Sequence, residues 1–287
     1  MRATLFAGFL ALAAAPALAQ SSSCGIYDFA GPYADAFLAA TPFERAPQAA
    51  ETIGTMADGA CHQDALIRRL GEELGPVVGY KAAATSAGAQ RQLGLDGPVL
   101  GVLFEEMLRP AGSTVSVGEG ARLIFELDLL ARVADEAIND ATTREEALEA
   151  IDAFVPFIEL GDLMVPKGAA ITGPLLQAMN AGARLGIVGE PLPADGLSVE
   201  DLSAAAGSLS KDGTVVAEAP ATALLGHPLD AVLWIVKEAE ARGWRLREGD
   251  VLSLGSMGPF QLAGPGAISA TYVGLSPEPA IVSFTLE

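Results

Sequence analysis

Basic residues are in short supply: 17 Lys and Arg stand against 36 Asp and Glu in 287 residues, a formal net charge of −19. A field of that sign repels phosphate backbones, and no basic stripe or aromatic-basic cluster offsets it, so nucleic acid is excluded as a partner. Histidine and cysteine number two each. His62 and His227 are too few and too scattered for a zinc site, and Cys24 and Cys61 lie in no CxxC or other metal spacing. The GxSxG elbow of serine hydrolases is missing. So is any glycine-rich loop of Walker or dinucleotide type, despite 32 glycines. Beyond the first residues no apolar run is long and uncharged enough to span a membrane. The acidity is no sign of disorder, because 51% of the residues are hydrophobic and disordered chains pair charge with low hydrophobicity.

What is present begins with an export signal. Arg2, an apolar run over residues 3–15 and the small-x-small sequence Ala17-Leu18-Ala19 follow the order of a secretory leader. Cleavage after Ala19 and a periplasmic location are expected. A retained membrane anchor is the alternative, against which the run falls short of the roughly 20 residues that cross a bilayer. In an oxidising compartment Cys24 and Cys61 are expected to pair in a disulfide, with two separate buried thiols as the other reading.

Helical stretches are expected over residues 33–40, 47–57 and 63–74, the last with apolar Ala65, Leu66, Leu70 and Leu74 at helical spacing before Gly75-Pro76. From Val77 the pattern turns to strands, at 77–84 and 123–133, with a short helix at 87–93 between them. Thr143 and Glu146 fit a capping box that opens a helix to about residue 154, followed by a strand over 155–160. Lys211-Asp212-Gly213-Thr214 reads as a hairpin turn, and residues 229–242 as a helix with Pro228 at its start and Gly243 beyond its end. The expected organisation is a signal peptide at 1–19, a helical N-terminal region at 20–75 and a mostly β domain at 76–287. The fold class is α+β.

The chemistry concentrates in two apolar strands. In Ile124-Phe125-Glu126-Leu127-Asp128-Leu129-Leu130 the two acids are two residues apart and share a strand face with Ile124 and Leu130. Glu159 stands in Phe157-Ile158-Glu159-Leu160 with no basic residue in that strand. Buried like charges are expensive unless a cation neutralises them. Three oxygen ligands without His or Cys suit Mg²⁺, with Mn²⁺ or Ca²⁺ as further candidates. A solvent-facing strand with its acids on the wet side is the plain alternative.

These residues resemble the 2-keto-4-pentenoate hydratase and oxalocrotonate decarboxylase group of the fumarylacetoacetate hydrolase superfamily. The resemblance rests on Gly79-Tyr80-Lys81 with Thr85-Ser86, Gln92-Leu93-Gly94, Gly97-Pro98 with Gly101-x-Leu103, the pair Glu126 and Asp128, Ile158-Glu159, and Asn180-Ala181. It continues through Leu225-Gly226-His227-Pro228 with Trp234, and Gly249-Asp250 with Gly255-Ser256-Met257-Gly258, so that it spans residues 62–287. It implies a mixed β-sheet roll with a helical N-terminal cap. It also implies a lyase that uses Mg²⁺ or Mn²⁺ to hold a 2-oxo acid and stabilise its enolate.

Through the resemblance Glu126, Asp128 and Glu159 become the expected metal ligands and Lys81 the expected charge partner or proton donor, where its residue type alone suggests an ammonium in water. Ser256 and Asn180 are candidate substrate-binding residues, or turn formers. His227 is expected to shape a helix start. The chain departs from the family pattern at Val99 and Met179, where acids that shuttle protons would stand, and at Asp128, one methylene shorter than the family's Glu. Three functional readings follow: a hydratase or related decarboxylase, an exported binding protein that keeps the pocket without catalysis, and an oligomeric scaffold. A small-molecule 2-oxo acid is the expected partner and a homo-oligomer the expected assembly.

Overall fold

The computed structural model describes residues 24, 25 and 27–287; the export signal expected at 1–19 lies outside the described residues. Three helices open the chain, α1 (Ala30–Leu38), α2 (Ala46–Thr52) and α3 (Met56–Leu74). The third starts earlier than expected because Thr55 and Asp58 form a capping box, the Asp58 carboxylate accepting from the Thr55 amide at 3.1 Å. The same box cuts α2 short at Thr52, since Thr55 must be extended to cap. Cys61 of α3 is joined to Cys24 in a disulfide, Cα atoms 5.5 Å apart. Phe29, Tyr33, Phe37, Leu66 and Leu70 from this region are buried in one hydrophobic core with the strands that follow. No described helix is long and apolar enough to cross a membrane.

The next elements are β1 (Val77–Ala83), α4 (Ala87–Leu93), β2 (Val99–Phe104), β3 (Leu108–Pro110), β4 (Thr114–Val115), β5 (Ile124–Val133), α5 (Arg144–Glu149), β6 (Ile151–Gly161) and α6 (Gly173–Ala178). They lead into β7 (Ala183–Val188), β8 (Leu192–Pro193), α7 (Val199–Ala204), β9 (Ala206–Lys211), β10 (Thr214–Pro220) and α8 (Pro228–Ala241). The chain closes with β11 (Val251–Ser253), β12 (Gln261–Leu262), β13 (Gly266–Val273) and β14 (Ala280–Leu286). Nine strands make a mixed sheet in the order β2-β1-β11-β5-β6-β7-β3, with β12 beside β5 and β8 beside β6; five make a second sheet, β10-β9-β13-β14-β4. The fold is α+β, a helical cap on two packed sheets.

Two local outcomes bear on the site. Asp212 and Gly213 both have positive φ, 50° and 77°, which is the geometry a two-residue hairpin of type I′ demands. The capping box at Thr143 forms, but α5 ends at Glu149 and the chain is already extended at Ile151. The expected helix to residue 154 is therefore corrected to strand. Ile151, Phe154 and Val155 favour a pleated surface, and Ala153 through Gly161 are all buried, so the alternation that marks a half-exposed strand is erased.

Candidate active site

The pairing of the two long strands sets Glu126 directly opposite Glu159. Opposed side chains on neighbouring strands stand about 5 Å apart at Cβ, so the ladder forces two acids together. Lys81 reaches them from β1, across the intervening strand β11. Its ammonium donates to Glu159 Oε1 and, at 3.2 Å, to the Ala181 carbonyl. Lys81 is 3% and Glu159 4% exposed, so the reading of Lys81 as an ammonium in water is excluded, and each charge depends on the other.

Backbone geometry makes this contact possible. Asn180, Ala181 and Gly182 all adopt positive φ, 54°, 53° and 71°, and this left-handed run brings the Ala181 carbonyl to the lysine. On the far side lies Gly101, where a Cβ would stand 2.9 Å from both the Ala181 Cβ and the Lys81 Cγ. Only glycine leaves room there.

Lys81, Glu126 and Glu159 line a cavity of about 750 Å³. Ile124, Leu176 and Met179 give it apolar wall, and Thr85, Arg122, Asp162 and Ser256 add polar groups. Burial pushes the Glu126 carboxyl up to about 7, and the charge on Glu159 adds to the rise, against the pull of the Lys81 ammonium and the Ser256 hydroxyl. Burial and Glu159 also raise Asp128 well above the ordinary carboxylate range, against hydrogen bonds from Ser253 and the Leu129 amide.

The structure places Asp128 behind the cavity wall. Its Oδ1 accepts from the Leu129 and Gly255 amides at 2.6 and 2.9 Å, and its Oδ2 takes the Ser253 hydroxyl. The carboxylate is spent on fastening β5 to β11 and to the turn after it. Among the described residues no group of three or more His, Cys, Asp or Glu is arranged to hold a metal; of the three carboxylates expected to form the set, Glu126 and Glu159 face each other on the cavity wall and Asp128 is held behind it. That pair fits a cation such as Mg²⁺, which keeps several waters and takes one or two carboxylates together with ligand oxygens.

Asn180 is turned toward β2. Its side chain lies outside the cavity, donating to the Val102 carbonyl at 2.9 Å and accepting from the Val102 amide at 2.8 Å and from Gln63 Nε2 at 3.2 Å. The amide acts as a one-residue strand partner for β2. Ser256 lines the cavity, its hydroxyl donating to the Gly258 carbonyl at 2.6 Å. His227 starts α8, its Nδ1 accepting from the Leu229 amide at 3.0 Å. Of the departures, Val99 is fully buried and Met179 sits on the cavity wall.

Three contributors escaped the sequence reading. Asp162 accepts from the Ala121 and Arg122 amides at 2.8 Å each and faces the cavity. Tyr272 wedges its hydroxyl between the carbonyls of Asp128 and Phe157 and accepts from the Phe157 amide at 3.2 Å, locking β13 beneath the glutamate pair. Arg122 stands in the bend two residues before β5 and also lines the cavity, where no element pattern in the sequence marks it.

No family model matches the chain. A 2-keto-4-pentenoate hydratase of Paraburkholderia xenovorans is 29% identical over 199 residues, 69% of this chain and 72% of the relative. A second, of Paraburkholderia phymatum, is 30% identical over 209 residues, 69% of this chain and 75% of the relative. In fold, the chain is similar to the 4-oxalocrotonate decarboxylase from Pseudomonas putida G7, solved with magnesium and adipate: TM-score 0.78, 23% identity, 89% of this chain and 94% of that one. Identity at this level over three quarters of a relative's length, on a shared sheet architecture, shows that the chain belongs to the 2-keto-4-pentenoate hydratase family of the fumarylacetoacetate hydrolase superfamily.

Proposed function

We propose that the protein is a metal-dependent hydro-lyase that adds water to a 2-hydroxydienoic acid by way of its 2-oxo form. The observation that carries this reading is a buried lysine bonded to one of two facing glutamates on the wall of a cavity of about 750 Å³. A divalent cation, Mg²⁺ or Mn²⁺, held by Glu126 and Glu159 supplies Lewis-acid stabilisation of the substrate's oxo and carboxylate oxygens. Support for it comes from the raised Glu126, which is costly to charge until a cation stands beside it, and from the magnesium in the decarboxylase of the same fold.

The chain's own residues do the rest. Lys81 Nζ holds positive charge where the enolate's negative charge develops, and it is the group at which a proton is given or taken. Ile124, Leu176 and Met179 shield the dienyl chain from bulk water, and the Ser256 hydroxyl meets the carboxylate. With Val99 and Met179 in place of acids, proton traffic is concentrated on Lys81. The same proposal releases the mature chain into the periplasm after Ala19, supported by the leader pattern and the Cys24–Cys61 bond. It makes the protein a homo-oligomer, supported by the exposed Val215, Val273 and Ile281 on the outer face of the second sheet.

The test follows the ultraviolet absorbance of 2-hydroxypenta-2,4-dienoate with protein stripped by EDTA. Absorbance is expected to fall only after Mg²⁺ or Mn²⁺ is restored, and not with Glu126→Gln. A dienoate that persists with every metal overturns the reading.

A further inference from the structure

A buried side-chain amide joins the helical cap to the left-handed run at residues 180–182. Gln63 of α3 has no exposed surface, and each hydrogen-bonding position of its amide is filled. Its Nε2 donates to the Leu100 carbonyl at 2.8 Å and to Asn180 Oδ1 at 3.2 Å. Its Oε1 accepts from Gln177 Nε2 and, at 2.9 Å, from Arg242 Nη1. Arg242 is held in turn by Asp64 and the Ala60 carbonyl of the same helix. An amide buried among that many partners has one orientation.

What that orientation holds is a strained segment. Asn180 and Ala181 adopt φ of 54° and 53°, which L side chains avoid and which persists only where the surroundings enforce it. Ala181 offers no polar side chain to hold, so its conformation depends on its neighbours. Asn180 is pinned on one side by the backbone of Val102 and on the other by Gln63. The Ala181 carbonyl, next along the chain, accepts from the Lys81 ammonium, whose other partner is Glu159. The cap thus reaches the lysine through Asn180 and Ala181, although Gln63 itself does not line the cavity.

We propose that Gln63 is a positioning residue for Lys81: it fixes Asn180 so that the Ala181 carbonyl aims at the lysine Nζ, and the helical cap thereby takes part in turnover without touching substrate. The proposal rests on the reading of Lys81 as the catalytic group of a hydratase.

Gln63→Met tests it. The change keeps the length of the side chain and orphans none of its partners, since Asn180 Oδ1 keeps the Val102 amide, Gln177 keeps the Leu100 carbonyl and Arg242 keeps Asp64. The variant is therefore expected to fold. With saturating Mg²⁺ and 2-hydroxypenta-2,4-dienoate, kcat is expected to fall about fivefold or more, the worth of one hydrogen bond. KM and the Mg²⁺-dependent affinity for oxalate are expected to stay within about twofold. Asn180→Ala cuts the same route one step later, so the double variant should lose no more kcat than the larger of the two single losses. A kcat within about twofold of wild type overturns the proposal, and so do a matching loss of oxalate affinity or losses that multiply in the double variant. Gln63→Glu, whose carboxylate still accepts from Arg242 and Gln177 but has no donor for Asn180, replaces Gln63→Met if that chain does not fold; failure of both to fold makes Gln63 a structural tie and overturns the proposal as well. Hydrogen exchange supplies a readout apart from activity. The Gly182 amide, bonded to the Met179 carbonyl at 3.2 Å, is expected to exchange about fivefold or more faster in the variant while β5 and β6 are unchanged. An unchanged rate overturns the proposal even for a wild type that turns over no dienoate, an outcome that by itself sinks the hydratase reading alone.

Discussion

Replacing Lys81 with methionine removes one charge and keeps most of the stem that packs against Gly101 and Ala181. Glu159, 4% exposed, is then left opposite Glu126 with no cation in contact, and the Ala181 carbonyl loses a donor. Breaking a buried pair on one side costs about 3–5 kcal/mol, and for a chain of this size each kcal/mol moves the midpoint by about 2–4 °C. Lys81→Met in EDTA is therefore expected to melt roughly 10 °C below the wild type in scanning calorimetry. Magnesium supplies the missing positive charge, so it should raise the midpoint of the variant more than that of the wild type, while hydration stays lost. A ligand at a hundredfold excess over its Kd stabilises by about 2.7 kcal/mol, which sets the scale of the rescue. A metal-free midpoint within about 2 °C of wild type, or equal responses of the two proteins to magnesium, would refute the account of Lys81 as the charge that makes the glutamate pair tolerable.

Asn180→Ala strips the Val102 amide and carbonyl of their buried partner; at about 1–3 kcal/mol for each orphaned group, the urea midpoint should fall clearly while oxalate affinity with Mg²⁺ is retained. An unchanged midpoint with lost oxalate binding would return Asn180 to the substrate. The pH dependence of the metal-free protein tests Glu126, which in the fold is pushed from its ordinary 4.5 up to about 7. Between those values the unfolded chain has released a proton that the folded chain keeps, so stability falls as pH rises from about 4.5 to 7 and levels off above. Asp128, also raised, acts in the same direction. Denaturation series at pH 5 and pH 7.5 should show that fall in the wild type and a shallower one in Glu126→Gln; a midpoint that rises over this interval contradicts the assignment.

Elements with local punctuation were legible in the sequence. The expected helix at 229–242 forms as Pro228–Ala241, bracketed by proline and glycine, and the Asp212-Gly213 turn joins β9 to β10. Elements set by distant contacts were not. Residues 151–154 include the strand formers Ile151 and Phe154, but the stretch is too short and, from Ala153 on, too fully buried to show a period of two, and it is the pairing with β5 that makes it strand. The start of α3 belongs with the local signals, since the Thr55 and Asp58 capping box lies within four residues of the sequence.

The site shows the same division at the scale of single atoms. Strand parity placed Glu126 and Asp128 on one face, and it was right about the face. Parity has nothing to say about which of two same-face carboxylates opens onto the cavity. That choice is made by Ser253, 125 residues from Asp128 in the chain, and by Gly255, whose φ of 108° turns its amide toward the Asp128 oxygen. The shorter aspartate stays within reach of those donors, whereas Glu126, lying beyond the β11 pairing that covers Leu130 to Arg132, faces the cavity. Asp128 thus serves as a tie between β5 and the β11 turn, which leaves Glu126 and Glu159 as the paired carboxylates that face the cavity.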